Sequence, residues 1–201
     1  MSKRLLKKTL EPRIKEAKAG KRYLFFMDAA HFVFAPFLGY LWCFKRLFIK
    51  APSGRKRFNV LGALNAITHE MITVTNTAYI NACSVCQLLI KISQICKDRR
   101  VTIVLDNARY QKCKLVIETA NLLNIELLYL PAYSPNLNLI ERMWKFVKKK
   151  CLYSKYYSDF DAFTNSISEC LAKTKSDYKK ELDSLLSLNF QVFQESQIKA
   201  A

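Results

Sequence analysis

The sequence predicts an α/β protein: a mixed sheet of three antiparallel strands followed by alternating helices and parallel strands, covered by helices. Three observations carry this. Val101–Leu105 is apolar except for Thr102, the continuous pattern of a strand buried on both faces. Tyr23–Met27 is a second such run, and it too ends on an aspartate, Asp28. From residue 79 onward, stretches with helical periodicity alternate with short apolar runs, the order of strand-helix-strand units. With 201 residues, 51% of them hydrophobic, the chain has material for one domain with a substantial core.

The elements follow in order. A basic helix or arm occupies residues 1–20. Strands are predicted over 22–28 and about 40–49, and a turn at Pro52, Ser53 and Gly54 leads to a third over about 57–65, with a continuation towards Thr75. A helix over 79–97, a strand over 101–106, a helix over 109–123 and a strand over 125–130 come next. The helix over 137–150 takes Ser134 as its cap and Pro135 as a residue suited to a first helical turn. Within it Leu137, Ile140, Trp144 and Val147 form an apolar stripe, Arg142, Lys145 and Lys149 lie on the other side, and Glu141 falls on the border. Trp144 belongs to the core on this pattern rather than to a base-stacking platform. Helices over 158–173 and 177–188 pack at the end, which divides the chain into segments 1–20, 21–155 and 156–201. No internal repeat or low-complexity linker is present.

Three carboxylates stand out. Leu24, Phe26 and Asp28 share a face at period two, and Asp106 closes the Val101–Leu105 run. Neighbouring strands lie about 4.8 Å apart, so two such aspartates side by side either raise one pKa or recruit a cation. In parallel sheets functional groups collect at the carboxyl ends of strands, where both stand. Glu141, with 34 residues between it and Asp106, leans from the border of its helix towards those ends. Each acid also has a plain reading: Glu141 and Lys145 make an ordinary i, i+4 helix pair of roughly 0.2–0.5 kcal/mol, and an aspartate at a strand end is often a turn former. Three carboxylates gathered at one point, however, need a metal.

Charge narrows the partners. Lys and Arg total 33 against 16 acids, a net charge of +17, which favours a polyanion. Nine basic residues lie within positions 1–22 against two acids; Arg55, Lys56 and Arg57 form a second cluster and Lys148, Lys149 and Lys150 a third, whose outer residues suit a solvated face. No apolar run approaches 18 residues and no signal-peptide core is seen, so a cytoplasmic protein without a membrane partner is expected. The seven cysteines are odd in number and scattered, the pattern of reduced thiols. Cys83 and Cys86 have zinc-like spacing with no second pair at finger distance. His31 and His69 have no serine or cysteine near enough in sequence to suggest a triad, and His31 suits a structural or DNA-facing role better than a metal ligand.

The motifs LDNARYQ and LPAYSPNLNLIERMWKFVKKK, at the spacing just given, closely resemble those of DDE transposases of the mariner-like superfamily, in their bacterial insertion-sequence branch. FFMDAAHF, GYLW and SGRKRFNVLGALN resemble the first-aspartate strand and following hairpin of the same family, so the likeness runs from about Tyr23 to Lys150; YYSDFDAF and LLSLNFQ are also similar. It implies a ribonuclease H-like DDE catalytic domain over 21–155, with Asp28, Asp106 and Glu141 as the catalytic, metal-binding acids. The activity implied is cleavage and strand transfer of DNA, on two Mg²⁺ ions for which Mn²⁺ substitutes, in excision and integration of a mobile element. No protein nucleophile is required. Double-stranded DNA is the implied partner, as element ends and as a target, TA in the family. A homodimer in the synaptic complex and a bacterial, nucleoid-associated setting are implied as well.

Asn107 and Arg109 are placed beside the second aspartate to contact the scissile strand, and Tyr133, Ser134 and Asn136 to line the approach to Glu141; Asn107 as a turn residue and Arg109 as a surface charge are the competing roles. Arg55, Lys56, Arg57 and Lys145 complete the DNA-binding candidates. The sequence departs from the family at Ala29, where an acid often follows the first aspartate, and at Leu139, where a proline often precedes the glutamate dipeptide. About twenty residues precede the first strand where full-length relatives carry helix-turn-helix modules, the pattern of a catalytic half served by a separate helix-turn-helix polypeptide, or of a truncated copy. Two other readings remain open on the same residues: an inactive DNA-binding remnant, and another ribonuclease H-like nuclease.

Overall fold

β1 (Arg22–Val33) is the central strand of a five-stranded sheet with the order β3-β2-β1-β4-β5. The computed structural model describes residues 6–34, 44–45, 56–131, 137–188 and 190. β2 (Arg57–Asn65) runs antiparallel to β1, and β3 (Met71–Asn76) antiparallel to β2. On the other side β4 (Arg100–Leu105) and β5 (Ile125–Tyr129) are both parallel. This is the mixed sheet expected, and its parallel half requires the crossover helices α2 (Ala82–Ile95) and α3 (Lys114–Leu122). A π-helical turn at Leu6–Leu10 and α1 (Glu11–Lys18) precede the sheet; α4 (Ile140–Cys151), α5 (Phe160–Ala172) and α6 (Lys179–Leu185) follow it.

Several boundaries differ from the sequence expectation, each for a local reason. β1 continues five residues past Asp28, because Ala30 and Phe32 keep the alternation that buries one face, while the backbone stays paired with β2 as far as Val33–Arg57. The stretch from 57 to 75 is two strands. Asn65 breaks it: its side-chain oxygen accepts from the N–H groups of Ile67 (2.9 Å) and Thr68 (3.0 Å), and His69 turns the chain at φ 60°. The expected helix over 109–123 opens with a separate 3₁₀ turn, Arg109–Gln111, before α3 begins. α4 starts at Ile140 with Leu139 as its N-cap, so Ser134 does not cap it. Leu137 and Leu139 are both buried ahead of it. The strand expected over 40–49 and the turn at 52–54 lie outside the described residues, apart from Phe44 and Lys45 in a bend.

The helices divide between the two faces. Leu24, Phe26, Ala30, Phe32, Val60, Leu64, Val104 and Leu128 face α1, α4, α5 and α6, and form one core with Leu10, Ile14, Met143, Trp144, Val147, Phe163 and Ile167. Phe25, Met27, Leu61, Ala63, Val101 and Ile103 face the other way, against Val85, Leu88, Leu89 and Ile92 of α2 and Val116 and Ala120 of α3. The central strands therefore have no solvent face, which is why their sequences are continuous rather than alternating. α2 is capped by Asn81, whose side chain accepts from Ser84 N, and α5 by Asp159, which accepts from Ala162 N.

At the amino end of the parallel strands, polar groups substitute for apolar ones. Glu126 on β5 accepts from Arg13 of α1, from Arg22 Nη1 on β1 (2.6 Å) and from the hydroxyl of Thr102 on β4 (2.6 Å); Arg22 also pairs with Glu16 (2.5 Å). Thr102 is fully buried and the Arg22 side chain is 9% exposed, so these groups depend on one another for hydrogen bonds. The network fastens α1 across three strands. Arg13 above all holds the Glu126 carboxyl below the ordinary glutamate value of 4.5, so the stabilisation is present above that value and is lost as pH falls through the folded one. Glu126→Gln is expected to lower stability by about 1–2 kcal/mol at pH 7, a value reduced for partial exposure, and the difference should shrink in urea titrations as pH falls below the ordinary glutamate value.

Candidate active site

The register of β1 and β4 brings the first two acids together. Phe26 pairs with Val104, and β4 ends one residue later at Leu105. The same register carries Asp28 opposite Asp106 just where β4 stops, on the sheet face of Leu24, Phe26 and Val104. α4 packs on that face, with Glu141 half-buried in its first turn. The apolar stripe Leu137, Ile140, Trp144 and Val147 is buried as expected, while Lys145 and Lys149 are exposed. Neither Glu141 nor Lys145 takes part in an ion pair among the described residues.

The local supports of the acids differ. Asp106 is exposed, and one of its oxygens accepts from Ala108 N (3.0 Å), the turn-forming role anticipated for an aspartate at a strand end. Beside it the side-chain amide of Asn107 donates to the Leu130 carbonyl, tying the end of β4 to the end of β5. Asp28 is held from α4: Trp144 Nε1 donates to its Oδ2 at 3.1 Å. The ring reaches it across Gly62, the residue paired with Asp28 on β2. A Cβ at position 62 would lie 2.8 Å from Trp144 Cη2 and 2.5 Å from Met71 Cε.

Burial pushes the Asp28 carboxyl up to about 7, and the charges of Glu141 and Asp106 push in the same direction against the N–H groups of Ala29 and Trp144. The three acids thus share one field. Tyr110 is drawn into it: burial raises its hydroxyl, and Asp106 and Asp28 add to the shift. Among the described residues no three acidic, thiol or imidazole groups stand at ligating spacing as they are, so the cluster is electrostatic rather than a formed shell. Its chemistry nevertheless fits a hard divalent cation, since every donor is a carboxylate oxygen and a cation would offset both the burial and the neighbouring charges that raise Asp28.

The remaining candidates fall around this centre. Arg109 is exposed at the start of the 3₁₀ turn, three residues beyond Asp106. Arg57 pairs with Val33, five positions further along β1 than Asp28, or about 17 Å at strand rise. Lys56 beside it lies 5.5 Å from the Phe160 ring. Arg55, Tyr133, Ser134 and Asn136 lie outside the described residues. His31 is on the opposite sheet face from Asp28, with Nδ1 2.7 Å from the buried Asn59 Oδ1, a structural contact. The Cys86 thiol lies 3.4 Å from Thr119 Oγ1 on α3. Trp144 is core as expected, but its contact with Asp28, the role of Gly62 and the proximity of Tyr110 were not anticipated. A lone glycine within an apolar strand and a tryptophan three residues after Glu141 were the available signals.

Sheet order, register and covering helices define a ribonuclease H-like domain of the kind found at the catalytic centre of transposases and integrases. Residues 23–164 match the DDE superfamily endonuclease family, and the chain belongs to it. The Mos1 strand transfer complex is similar in fold at TM-score 0.62 and 16% identity, covering 96% of this chain and 62% of that one. The isolated catalytic domain of Mos1 mariner transposase is similar at TM-score 0.60 and 15% identity, over 96% of this chain and 94% of that one. The HTLV-2 integrase catalytic core, solved with magnesium, is similar at TM-score 0.52 and 11% identity, over 77% and 87%. The chain thus spans less than two thirds of the Mos1 chain in its DNA complex and nearly all of the separate catalytic domain. No protein of curated function matches the sequence. No helix among the described residues is long and apolar enough to cross a membrane.

Because Asp28 binds its proton more tightly folded than at the ordinary aspartate value of 3.8, the metal-free protein loses stability as pH rises from about 4 to about 7. Asp28→Asn removes that loss. In EDTA at pH 8 the variant is expected to be more stable than wild type by about 2 kcal/mol, or roughly 4–8 °C in thermal midpoint, with the advantage shrinking towards pH 4.

Proposed function

We infer that this chain is the catalytic domain of a DNA transposase, with Asp28, Asp106 and Glu141 as its metal-binding acids. The observation that supports the reading is that Asp28 and Asp106 each follow by two residues the last β1–β4 pair, Phe26–Val104, with Glu141 on the helix covering the same face, and that the charges of Asp106 and Glu141 both act on Asp28. Mg²⁺ suits an all-carboxylate set completed by phosphate oxygens, and Mn²⁺ substitutes for it. When bound, such ions supply Lewis-acid stabilisation of a scissile phosphate and activation of an attacking hydroxyl. Asp106, at the end of its strand and exposed, is accessible to a bound phosphodiester, while Asp28 and Glu141 hold charge deeper against α4.

The basic surface supports a DNA substrate. The chain carries a net charge of +17, with Lys56 and Arg57 further along the hairpin and Lys145 one turn after Glu141. Duplex element ends and a short target, TA in related elements, are the proposed substrates. Arg109 is the proposed contact to the cleaved strand, with Asn107 supporting the turn that presents it; Arg55, Tyr133, Ser134 and Asn136 are further proposed contacts. The fold neighbours include Mos1 strand transfer and paired-end complexes, in keeping with a dimer that holds two ends. End recognition by a separate helix-turn-helix polypeptide and a bacterial, nucleoid-associated setting complete the reading.

Calorimetric titration with Mn²⁺ and Mg²⁺ tests the site. Wild type is expected to bind in an acid-dependent manner, and Asp106→Asn to lose metal binding and metal-dependent strand cleavage while keeping its fold and nonspecific DNA affinity. Retained metal-dependent cleavage by Asp106→Asn would overturn the assignment. Wild type that binds DNA but shows no acid-dependent metal binding, even with DNA phosphates supplied, identifies a remnant that only holds DNA.

A further inference from the structure

We propose that Trp144 is a positioning residue for the acidic site: its indole N–H fixes the orientation in which the Asp28 carboxylate meets a divalent cation. The proposal rests on the metal-site reading above and adds a member to it that carries no charge and no metal bond.

Trp144 is 3% exposed, and its only polar atom, Nε1, points to Asp28 Oδ2 at 3.1 Å. A buried indole needs an acceptor, and in a sheet-helix interface backbone carbonyls and neutral side chains usually provide one. Here the acceptor is a carboxylate, that of Asp28. An ionised carboxylate has about four lone-pair positions, so one indole bond holds it in place and leaves oxygen capacity for a cation. A lysine or arginine in the same place would hold Asp28 equally well, but its positive charge would oppose the cation. An indole is a neutral donor.

The surroundings are arranged for this contact. Glycine is disfavoured inside a strand, yet Gly62 stands directly opposite Asp28 in β2, where any side chain would collide with the Trp144 ring. The fully buried Phe32, on the same face of β1 as Asp28, meets the ring edge-on with centroids 6.4 Å apart and planes at 80°. Trp144 also lies three residues after Glu141, on the same flank of α4. One helix therefore delivers a carboxylate to the site and restrains a second carboxylate on β1, so the seating of α4 sets the geometry of both.

Mn²⁺ binding to the whole chain, read from the electron paramagnetic resonance signal of free Mn²⁺, tests this with wild type, Asp106→Asn, Trp144→Phe and a chain carrying benzothienylalanine at 144. The last replaces the indole N–H by sulfur and preserves ring shape, so it reports the hydrogen bond even if Trp144→Phe fails to fold. Both position-144 variants are expected to bind Mn²⁺ at least tenfold more weakly, the range seen when a partner of a metal ligand is removed. Wild-type affinity in the benzothienylalanine chain, with only the thermal midpoint changed, would overturn the proposal and leave Trp144 a packing residue. If Asp106→Asn binds Mn²⁺ as tightly as wild type, the metal-site reading itself fails, and the proposal falls with it.

Discussion

Parallel pairing of β1 with β4 governs the molecule. Five residue pairs, from Arg22–Arg100 to Phe26–Val104, bring together segments nearly eighty positions apart, and they determine both ends of the domain. At the amino end the register places Arg22 beside Thr102 and Glu126, where α1 is fastened. At the carboxyl end it places Asp28 opposite Asp106. A slip of one residue would turn one aspartate to the other sheet face, so the apolar alternation that buries Leu24 and Phe26 on one side and Phe25 and Met27 on the other also protects the site. Core packing and site geometry are consequences of the same register.

The site collects negative charge inside a strongly basic protein. Burial of α4 against the sheet desolvates Asp28 above all, with the charges of Glu141 and Asp106 adding to the upward push on its carboxyl. Basic residues lie near the site as well as away from it: Arg109 follows Asp106 by three positions, and Lys145 and Lys149 are exposed on α4.

The second face and the terminal helices act as scaffold. α2 and α3 complete the burial of β1 and β4, which lets these strands carry continuous apolar sequences. α5 and α6 pack behind α4, with Phe163, Ile167 and Leu182 in the same core as Trp144, so the helix that carries Glu141 is restrained from both sides. His69, at the turn between β2 and β3, reaches Asp183 at 2.8 Å and joins α6 to the far edge of the sheet.

Much of this was legible in the sequence. Two apolar runs ending in aspartate specified buried strands, period two placed Leu24, Phe26 and Asp28 on one face, and the stripe from Leu137 to Val147 identified the buried side of α4, because side-chain periodicity is a local property of the backbone. The motifs around Asp106 and Glu141 pointed to the DDE family for the same reason: they are contiguous text. α4 begins at Ile140, three residues later than the sequence pattern places it, with no side-chain cap to mark that start in the sequence. The end of the strand at residue 65 was legible, but the separate strand β3 after it was expected only as a continuation towards Thr75, because the reversal depends on the Asn65 side chain and on His69 at φ 60°. What the sequence by itself determined is the buried strands β1, β2, β4 and β5, the helices that cover them, and three acids as candidates. The tertiary structure alone decided that Asp28 is desolvated, that Trp144 holds it and that Gly62 admits the ring, because these depend on distances between segments that are far apart in the chain and meet only when the sheet and α4 are assembled.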